Sequence, residues 1–353
     1  MKVIYSNSFN KKMNSEGLGK CEQCEQCEQC EKSFLDVNLQ LCNNEAYLFD
    51  DKVITGSHVP FVNSRLSDSI EFGLKMGMYV IQVFMGGQQC YSRSKLKDDD
   101  VQKTRELLKR YPLHVYTHSP LIYNLAGSVK NKNLAWVGND QVDSMMKSLI
   151  KCLSFELETL NRVGAKGTVV HPGCYIKEKG KTQEQIEEDA IISIAKTLEY
   201  VEFTGEAKVL LENSAGENGK VSYNLQQLVR IREKVVENKR ENIAFCLDTA
   251  HSFASGLYDL SCIQGVQKMF DEIDKVKAEN KGCVELIHLN DSEVPFGAKR
   301  DKHALLRNGY IWGKDDTALK YLLFQAGERR IPCVLETSPS DMYTLYEILG
   351  ERI

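Results

Sequence analysis

Six times along this chain an apolar run stops abruptly on a histidine or a carboxylate: Leu113–His118, Thr168–His171, Val209–Glu212, Ile243–Asp248, Glu285–His288 and Val334–Glu336. Imidazole and carboxylate are the ligand types taken by zinc and similar divalent cations. One such ending carries little information. Six point to a single polar, metal-lined site at one end of a parallel sheet. The fullest case is Cys246-Leu247-Asp248-Thr249-Ala250-His251, where a histidine follows the terminal aspartate three residues later.

From Val53 onward, strand and helix patterns alternate. Strands are expected at Val53–His58, Tyr79–Phe84, Leu113–His118, Gly167–His171, Lys208–Glu212, Ile243–Asp248, Val284–His288 and Ile331–Glu336. Helices are expected at Ser64–Met76 and at Asp98–Tyr111, whose first turn is acidic. A third follows the stripe Val142, Met145, Leu149, Leu153, Leu157 and Leu160, and a fourth the capping box of Thr182 and Gln185. Leu225–Val236, Ile263–Val276, Thr317–Gln325 and Tyr343–Leu349 complete the set. Eight strands, each followed by a helix, is the count of an α/β fold of the (β/α)8 barrel type, which builds its sites at the C-terminal strand ends. A doubly wound sheet shares the alternation. It would not gather the polar ends of strands three to eight onto one axis.

Residues 1–52 read as a separate, low-complexity extension preceding a barrel over 53–353. Cys21 to Cys30 repeats Cys-Glu-Gln at a three-residue period. Cys-x-x-Cys pairs chelate zinc, but zinc sites bring a second, distant ligand pair. The repeat therefore reads as a mobile tail.

A chain of 353 residues can bury a large core, and 42% apolar with 27% charged residues is the balance of a soluble globular protein. The net charge of −4 does not advertise nucleic-acid binding, so such a partner has to meet a local basic patch or bound cations. No apolar run reaches membrane-spanning length, and no h-region opens the chain. The expectation is a soluble, intracellular monomer with no membrane partner; cytoplasm, nucleus and packaged particle are not distinguished. Twelve cysteines without a signal peptide indicate reduced thiols. Cys152, Cys246, Cys262, Cys283 and Cys333 fall in apolar patterns and are expected as small core residues.

The strand-end motifs, in order, are Thr117-His118-Ser119-Pro120, His171-Pro172-Gly173, Glu212-Asn213-Ser214-Ala215-Gly216, Asp248-Thr249-Ala250-His251, His288-Leu289-Asn290-Asp291, Asp301-Lys302-His303 and Leu335-Glu336-Thr337. This ordered set closely resembles the endonuclease IV family of apurinic/apyrimidinic (AP) endonucleases, from about Val53 to the end of the chain. The resemblance implies three zinc ions, with manganese an alternative at one site. His118, His171 and Glu212 would hold the first. Glu212 would bridge to a second with Asp248, His288 and Glu336, and His251, Asp301 and His303 would hold the third. Three divalent ions bring +6 against −4 from Glu212, Asp248, Asp301 and Glu336, and the remaining +2 suits a phosphodiester and a hydroxide. The implied reaction is hydrolysis 5′ to an abasic site in duplex DNA, leaving a 3′-hydroxyl and a 5′-deoxyribose phosphate; 3′-blocked ends would be cleared by the same hydrolysis. The metals would make hydroxide available near neutral pH, with Glu212 nearest the nucleophile. An abasic nucleotide has lost its stacking, so swinging it out is comparatively cheap.

For the duplex, the resemblance points to the loop Phe84–Tyr91, where Gln88 matches the family while Gln89 and Tyr91 stand for an expected arginine and tryptophan. Leu121 replaces a family tyrosine, and Leu306-Arg307-Asn308-Gly309 replaces Leu-Gly-Glu-Gly. Arg307 is a candidate phosphate contact, His58 faces DNA or supports a ligand, and Asn213 positions phosphate or fixes the strand-end turn. Asp291 either orients a ligand or faces water, and His114 is structural. Two other functions use the same residues: a metal-dependent sugar isomerase of this barrel superfamily, and a DNA-binding relative without catalysis. The third ligand group argues against the isomerase, which needs only two metals.

Overall fold

The computed structural model describes residues 53–91, 93–127, 144–175, 179–217, 219–313 and 315–350. The expected 1–52 extension with its Cys-Glu-Gln repeat lies outside them, as does Val142. Eight parallel strands close into a barrel: β1 (Thr55–His58), β2 (Val80–Val83), β3 (His114–His118), β4 (Gly167–Val170), β5 (Lys208–Glu212), β6 (Ile243–Asp248), β7 (Val284–His288) and β10 (Cys333–Leu335). Neighbours follow chain order, and β1 pairs with both β2 and β10 to seal the ring. The expected (β/α)8 barrel is the observed fold, with strand ends displaced by at most two residues. Between β7 and β10 the chain also forms a small antiparallel pair, β8 (Asp291–Ser292) with β9 (His303–Ala304), which strand periodicity did not announce.

The helices are α1 (Leu66–Lys75), α2 (Asp98–Arg110), α3 (Ser144–Val163), α4 (Gln183–Tyr200), α5 (Leu225–Lys234), α6 (Thr249–Ala254), α7 (Ile263–Ala278), α8 (Thr317–Glu328) and α9 (Asp341–Leu349). Asp98, Asp99 and Asp100 open α2 and Lys109 with Arg110 close it, each charge complementing the helix dipole. The Thr182 capping box forms: its hydroxyl accepts from the Gln185 backbone while the Gln185 side chain accepts from the Thr182 N–H. One stripe position differs. Met145 is exposed and Met146 is the buried methionine of α3.

Because both sheet faces are covered, strands such as Lys208–Glu212 read as continuous apolar runs. Inside the barrel, Val80, Tyr116, Val169, Leu210, Ala244, Cys246, Leu286 and Val334 pack into one apolar floor. Strand spacing tolerates no side chain at two points: a Cβ at Gly56 would lie 1.6 Å from the Val80 carbonyl oxygen, and one at Gly167 2.3 Å from that of Lys208. Of the cysteines expected in the core, Cys246 and Cys333 are buried, whereas Cys152, Cys262 and Cys283 are half-buried at the helix–sheet margins. Among the described residues no helix is long and apolar enough to cross a membrane.

Candidate metal centre

Strand periodicity builds the site directly on the floor. Side chains two residues apart share a face. The positions two beyond the floor are therefore inward-facing on the next layer up: Gln82 above Val80, His118 above Tyr116, Glu212 above Leu210, Asp248 above Cys246, His288 above Leu286 and Glu336 above Val334. His171 and His58 complete that layer from β4 and β1 by the same count from Val169 and Gly56. An apolar disc thus changes to a ring of polar side chains within one layer.

Two further ligands come from local turns. Asp248 caps α6, its Oδ1 accepting the His251 backbone N–H at 2.7 Å. That cap explains the Asp-x-x-His spacing, since it sets His251 on the first turn facing the ring. The β8–β9 segment brings Asp301 and His303 over the same place, with Asp301 Oδ1 lying 3.1 Å from His251 Nε2 and 3.3 Å from His303 Nε2.

All nine predicted ligands converge. His118, His171 and Glu212 form one group, Glu212, Asp248, His288 and Glu336 a second, and Asp248, His251 and His303 a third, with candidate ligand atoms in each within 4.8 Å of one another. Glu212 is the hub. Its Oε2 lies 2.9 Å from His171 Nε2 and 3.4 Å from His118 Nε2, while Oε1 lies 2.9 Å from His288 Nδ1. Asp248 is shared as well, its Oδ2 standing 3.6 Å from His303 Nε2.

Burial alone would raise the Glu212 pKa. Its imidazole neighbours, His171 and His288 foremost, outweigh burial and hold it well below the carboxylate range. Burial would likewise depress His251, but Asp248, Asp301 and Glu212 lift it well above the usual imidazole value. His288 is lifted above the same value against its burial, by Cys246, Glu336 and Glu212. Without cations, then, the Glu212 carboxylate and the His251 and His288 imidazoles favour one another's charged forms despite burial. The donor set suits metal: five imidazoles and four carboxylates face one another, and among the described residues the buried Nε2 atoms of His251 and His303 make no hydrogen bond.

Two supporting residues escaped the motif reading. Gln82 accepts from His288 Nε2 (2.9 Å), donates to Glu336 Oε1 (3.0 Å) and meets His58 Nδ1 at 3.2 Å. Asn290 donates to Asp248 Oδ2 (2.6 Å) and Glu336 Oε2 (3.1 Å) and accepts the Glu336 N–H. Both amides lie in apolar runs or strand-end motifs, where inward period-2 placement was the available signal. The basic residues Lys299, Arg300 and Lys302 around Asp301 were missed too; they are exposed and, among the described residues, take part in no ion pair.

The residues singled out for DNA are not gathered in the same way. Gln88 and Gln89 are exposed at the tip of the loop after β2, and Tyr91 stacks on Tyr123 with centroids 5.5 Å apart. His58 belongs to the polar ring, beside Phe84 at 4.5 Å, and burial lowers its pKa to about 4. Asn213 is buried and holds the strand-end turn: its Oδ1 accepts the Asp248 N–H at 2.6 Å and its carbonyl lies 2.8 Å from His251 Nδ1. Arg307, at φ 66°, is engaged by carboxylates, with Nε to Asp316 Oδ1 at 3.0 Å and Nη1 to Glu347 Oε2 at 3.2 Å. Asp291 neither faces water nor reaches the ligands. It is fully buried and accepts the N–H groups of Ser292, Gly309 and Ile311, folding the loop that carries Arg307. His114 sits in β3 away from the ring.

Comparison with known proteins follows this geometry. Residues 70–341 match the family described as "Xylose isomerase-like TIM barrel". A "Putative endonuclease 4" of Acanthamoeba polyphaga mimivirus is 28% identical over 305 residues, covering 85% of this chain and 90% of that protein. A "Probable endonuclease 4" of Staphylococcus saprophyticus is 28% identical over 288 residues, covering 81% and 88%. Among solved structures, endonuclease IV from Thermus thermophilus superimposes with a TM-score of 0.65 at 22% identity, covering 84% of this chain and 97% of that one. A D-tagatose 3-epimerase-like protein reaches 0.55 at 18% identity, covering 84% and 96%, so likeness of fold does not separate nuclease from sugar epimerase. The chain belongs to the xylose isomerase-like TIM barrel family, within which the ordered strand-end motifs and the endonuclease 4 relatives set it beside the endonuclease IV proteins.

Proposed function

We propose that this protein is a zinc-dependent AP endonuclease that hydrolyses the phosphodiester 5′ to an abasic site in duplex DNA, leaving a 3′-hydroxyl and a 5′-deoxyribose phosphate. Clearing of 3′-blocked ends by the same hydrolysis belongs to this reading, as does a catalytic barrel over residues 53–353. The observation that carries it is the third ligand group, His251 with Asp301 and His303, standing beside the group that shares Glu212 and Asp248. A two-metal sugar isomerase has no use for that third group.

His118 and His171 with Glu212, then Glu212 with Asp248, His288 and Glu336, and then His251, Asp301 and His303 are the residues that would hold three metals. Bound there, zinc would supply Lewis acidity to the phosphate and an activated water for attack. The protein's share is placement. Glu212 spans the first two groups, so with metals held there it would stand nearest the nucleophile. Gln82 and Asn290 hold Glu336, Asp248 and His288 in fixed rotamers, fixing which imidazole nitrogen faces the centre. His58, neutral at physiological pH, shapes the wall without adding charge. Lys299, Arg300 and Lys302 offer cations to the DNA backbone, which the overall charge of −4 does not. Arg307 would have to leave Asp316 to do the same, so we assign it to the loop.

The test is incubation of purified, metal-quantified protein with end-labelled duplex carrying one abasic analogue. Incision 5′ to the analogue, yielding a 3′-hydroxyl, is expected. Intact duplex together with ketose–aldose conversion would replace this reading by the isomerase, and intact duplex that is nevertheless bound would replace it by a non-catalytic DNA-binding protein.

A further inference from the structure

A second buried charge cluster lies behind the metal centre, on the outer side of β3 and β4. Glu156 of α3 and Arg93 of the loop after β2 have side chains only 0% and 1% exposed. Glu156 Oε1 accepts from Thr117 Oγ1 at 2.6 Å and Thr168 Oγ1 at 3.2 Å. Thr117 immediately precedes His118, and Thr168 lies on the strand that leads to His171. Period-2 alternation turns both threonines away from the barrel axis, toward α3.

Arg93 connects this anchor to the loop tip. Its Nε faces Glu156 Oε2 at 3.7 Å, and its Nη2 donates to the carbonyls of Gly87 (3.2 Å) and Cys90 (3.1 Å). Those two carbonyls bracket Gln88 and Gln89. The loop is further closed by Ser94 N–H to the Met85 carbonyl (3.0 Å) and by Leu121 N–H to that of Gln88 (2.9 Å).

Stability is a poor reason for such a pair. Among the described residues, Arg93 Nε, Arg93 Nη1 and Glu156 Oε2 are buried without hydrogen bonds. Desolvating two charges that are so incompletely satisfied offsets their attraction, and apolar replacements of similar volume are often as stable or more so. What the pair does provide is a fixed distance between the strand ending on His118 and the Gln88–Gln89 turn. We infer that Arg93 is a positioning residue: braced on Glu156, it holds the Gln88–Gln89 turn in register with the strand that carries His118. The inference rests on the reading of that turn as a duplex contact.

Two variants test it. Arg93→Lys keeps the charge but cannot serve both loop carbonyls and Glu156 from one ammonium. The double variant Arg93→Met with Glu156→Met removes both charges while keeping apolar volume. Each is compared with wild type in amide hydrogen exchange at Ser94 and Leu121, whose N–H groups close the loop on the Met85 and Gln88 carbonyls, in KM and kcat on the abasic duplex, and in zinc per chain. Both variants should exchange about tenfold faster at those amides and show KM raised about tenfold, with kcat and zinc within about twofold. Wild-type exchange and KM in Arg93→Lys would overturn the inference. So would a loss of kcat and zinc in proportion to KM, which a general packing defect produces. Should the wild-type protein incise nothing, the proposed function falls, and exchange at Ser94 and Leu121 alone decides whether Arg93 braces the turn.

Discussion

The ring of metal ligands and the loops around its mouth are built on opposite principles. Most ring residues stand at barrel strand ends, each two residues above a floor position, with His251 added from the first turn of a capped helix and Asp301 and His303 from the β8–β9 segment. The mouth is made of exposed side chains on irregular backbone: Gln88 and Gln89 after β2, Leu121 after β3, and Lys299, Arg300 and Lys302 around the candidate ligand Asp301. The ring is held by the sheet and tolerates little change. The mouth is held by a few side-chain braces, such as Arg93 and Asp291, and can vary while the chemistry stays.

The largest separation between the two regions should come from Glu212→Gln. Removing the hub's charge should lower incision by about 10³-fold or more, roughly 4 kcal/mol of transition-state stabilisation, while the circular dichroism spectrum stays native. Near-normal incision would place Glu212 outside the chemistry.

Metal removal comes next. In the metal-free protein the raised His251 and His288 pKa values contribute stability that is fully present below the ordinary imidazole value and is lost as pH rises through their folded values. Metal binding requires those imidazoles neutral, so its stabilisation grows with pH. The stabilisation of zinc-loaded over chelated protein, read from the shift in Tm, should therefore widen from about pH 6 to pH 8, reaching about 4 kcal/mol per site at a thousandfold excess of zinc over Kd. A difference that narrows with pH would contradict this charge pairing.

Gln82→Ala strips His288 Nε2 of its acceptor and Glu336 of a donor, and should weaken zinc binding about 10- to 100-fold in a competition titration. Unchanged affinity would mean that the ring positions its ligands without the amide.

Effects at the mouth should be smaller and of another kind. Lys299→Ala should reduce the salt dependence of duplex binding by about one unit of log–log slope, with zinc content unchanged. Arg307→Gly should alter duplex affinity by less than about twofold, because Asp316 already holds that guanidinium and glycine accepts its left-handed backbone. A large loss there would return Arg307 to the DNA-contacting residues.

The same contrast explains what could be read in the sequence. Barrel strands announce themselves because burial on both faces makes them apolar, and a polar terminus then stands out: Glu212 and His288 needed nothing more. Asp301 and His303 were legible through the resemblance of Asp301-Lys302-His303 to the family motif, because the β8–β9 pair that carries them is too short for periodicity to register. Gln82 was hidden because an inward amide within Val80–Val83 resembles an ordinary strand residue until His288 and Glu336 are seen around it. The surroundings of Arg307 and Asp291 were hidden for one reason. Their partners, Asp316 and the Gly309 and Ile311 amides, come from loop folding that leaves no periodic trace. Arg93 and Glu156 lie 63 positions apart in the chain and meet only because α3 packs behind β3.

The central claim is that three cations, not two, sit in this ring and that the third is needed for hydrolysis. It is tested most directly by counting zinc per chain, by elemental analysis, in wild type and in an Asp301→Ala, His303→Ala double variant, alongside incision of the abasic duplex. The account predicts about three zinc ions falling to about two, with incision lost while the fold is retained. Two zinc ions in both proteins, with incision undiminished in the variant, would contradict it.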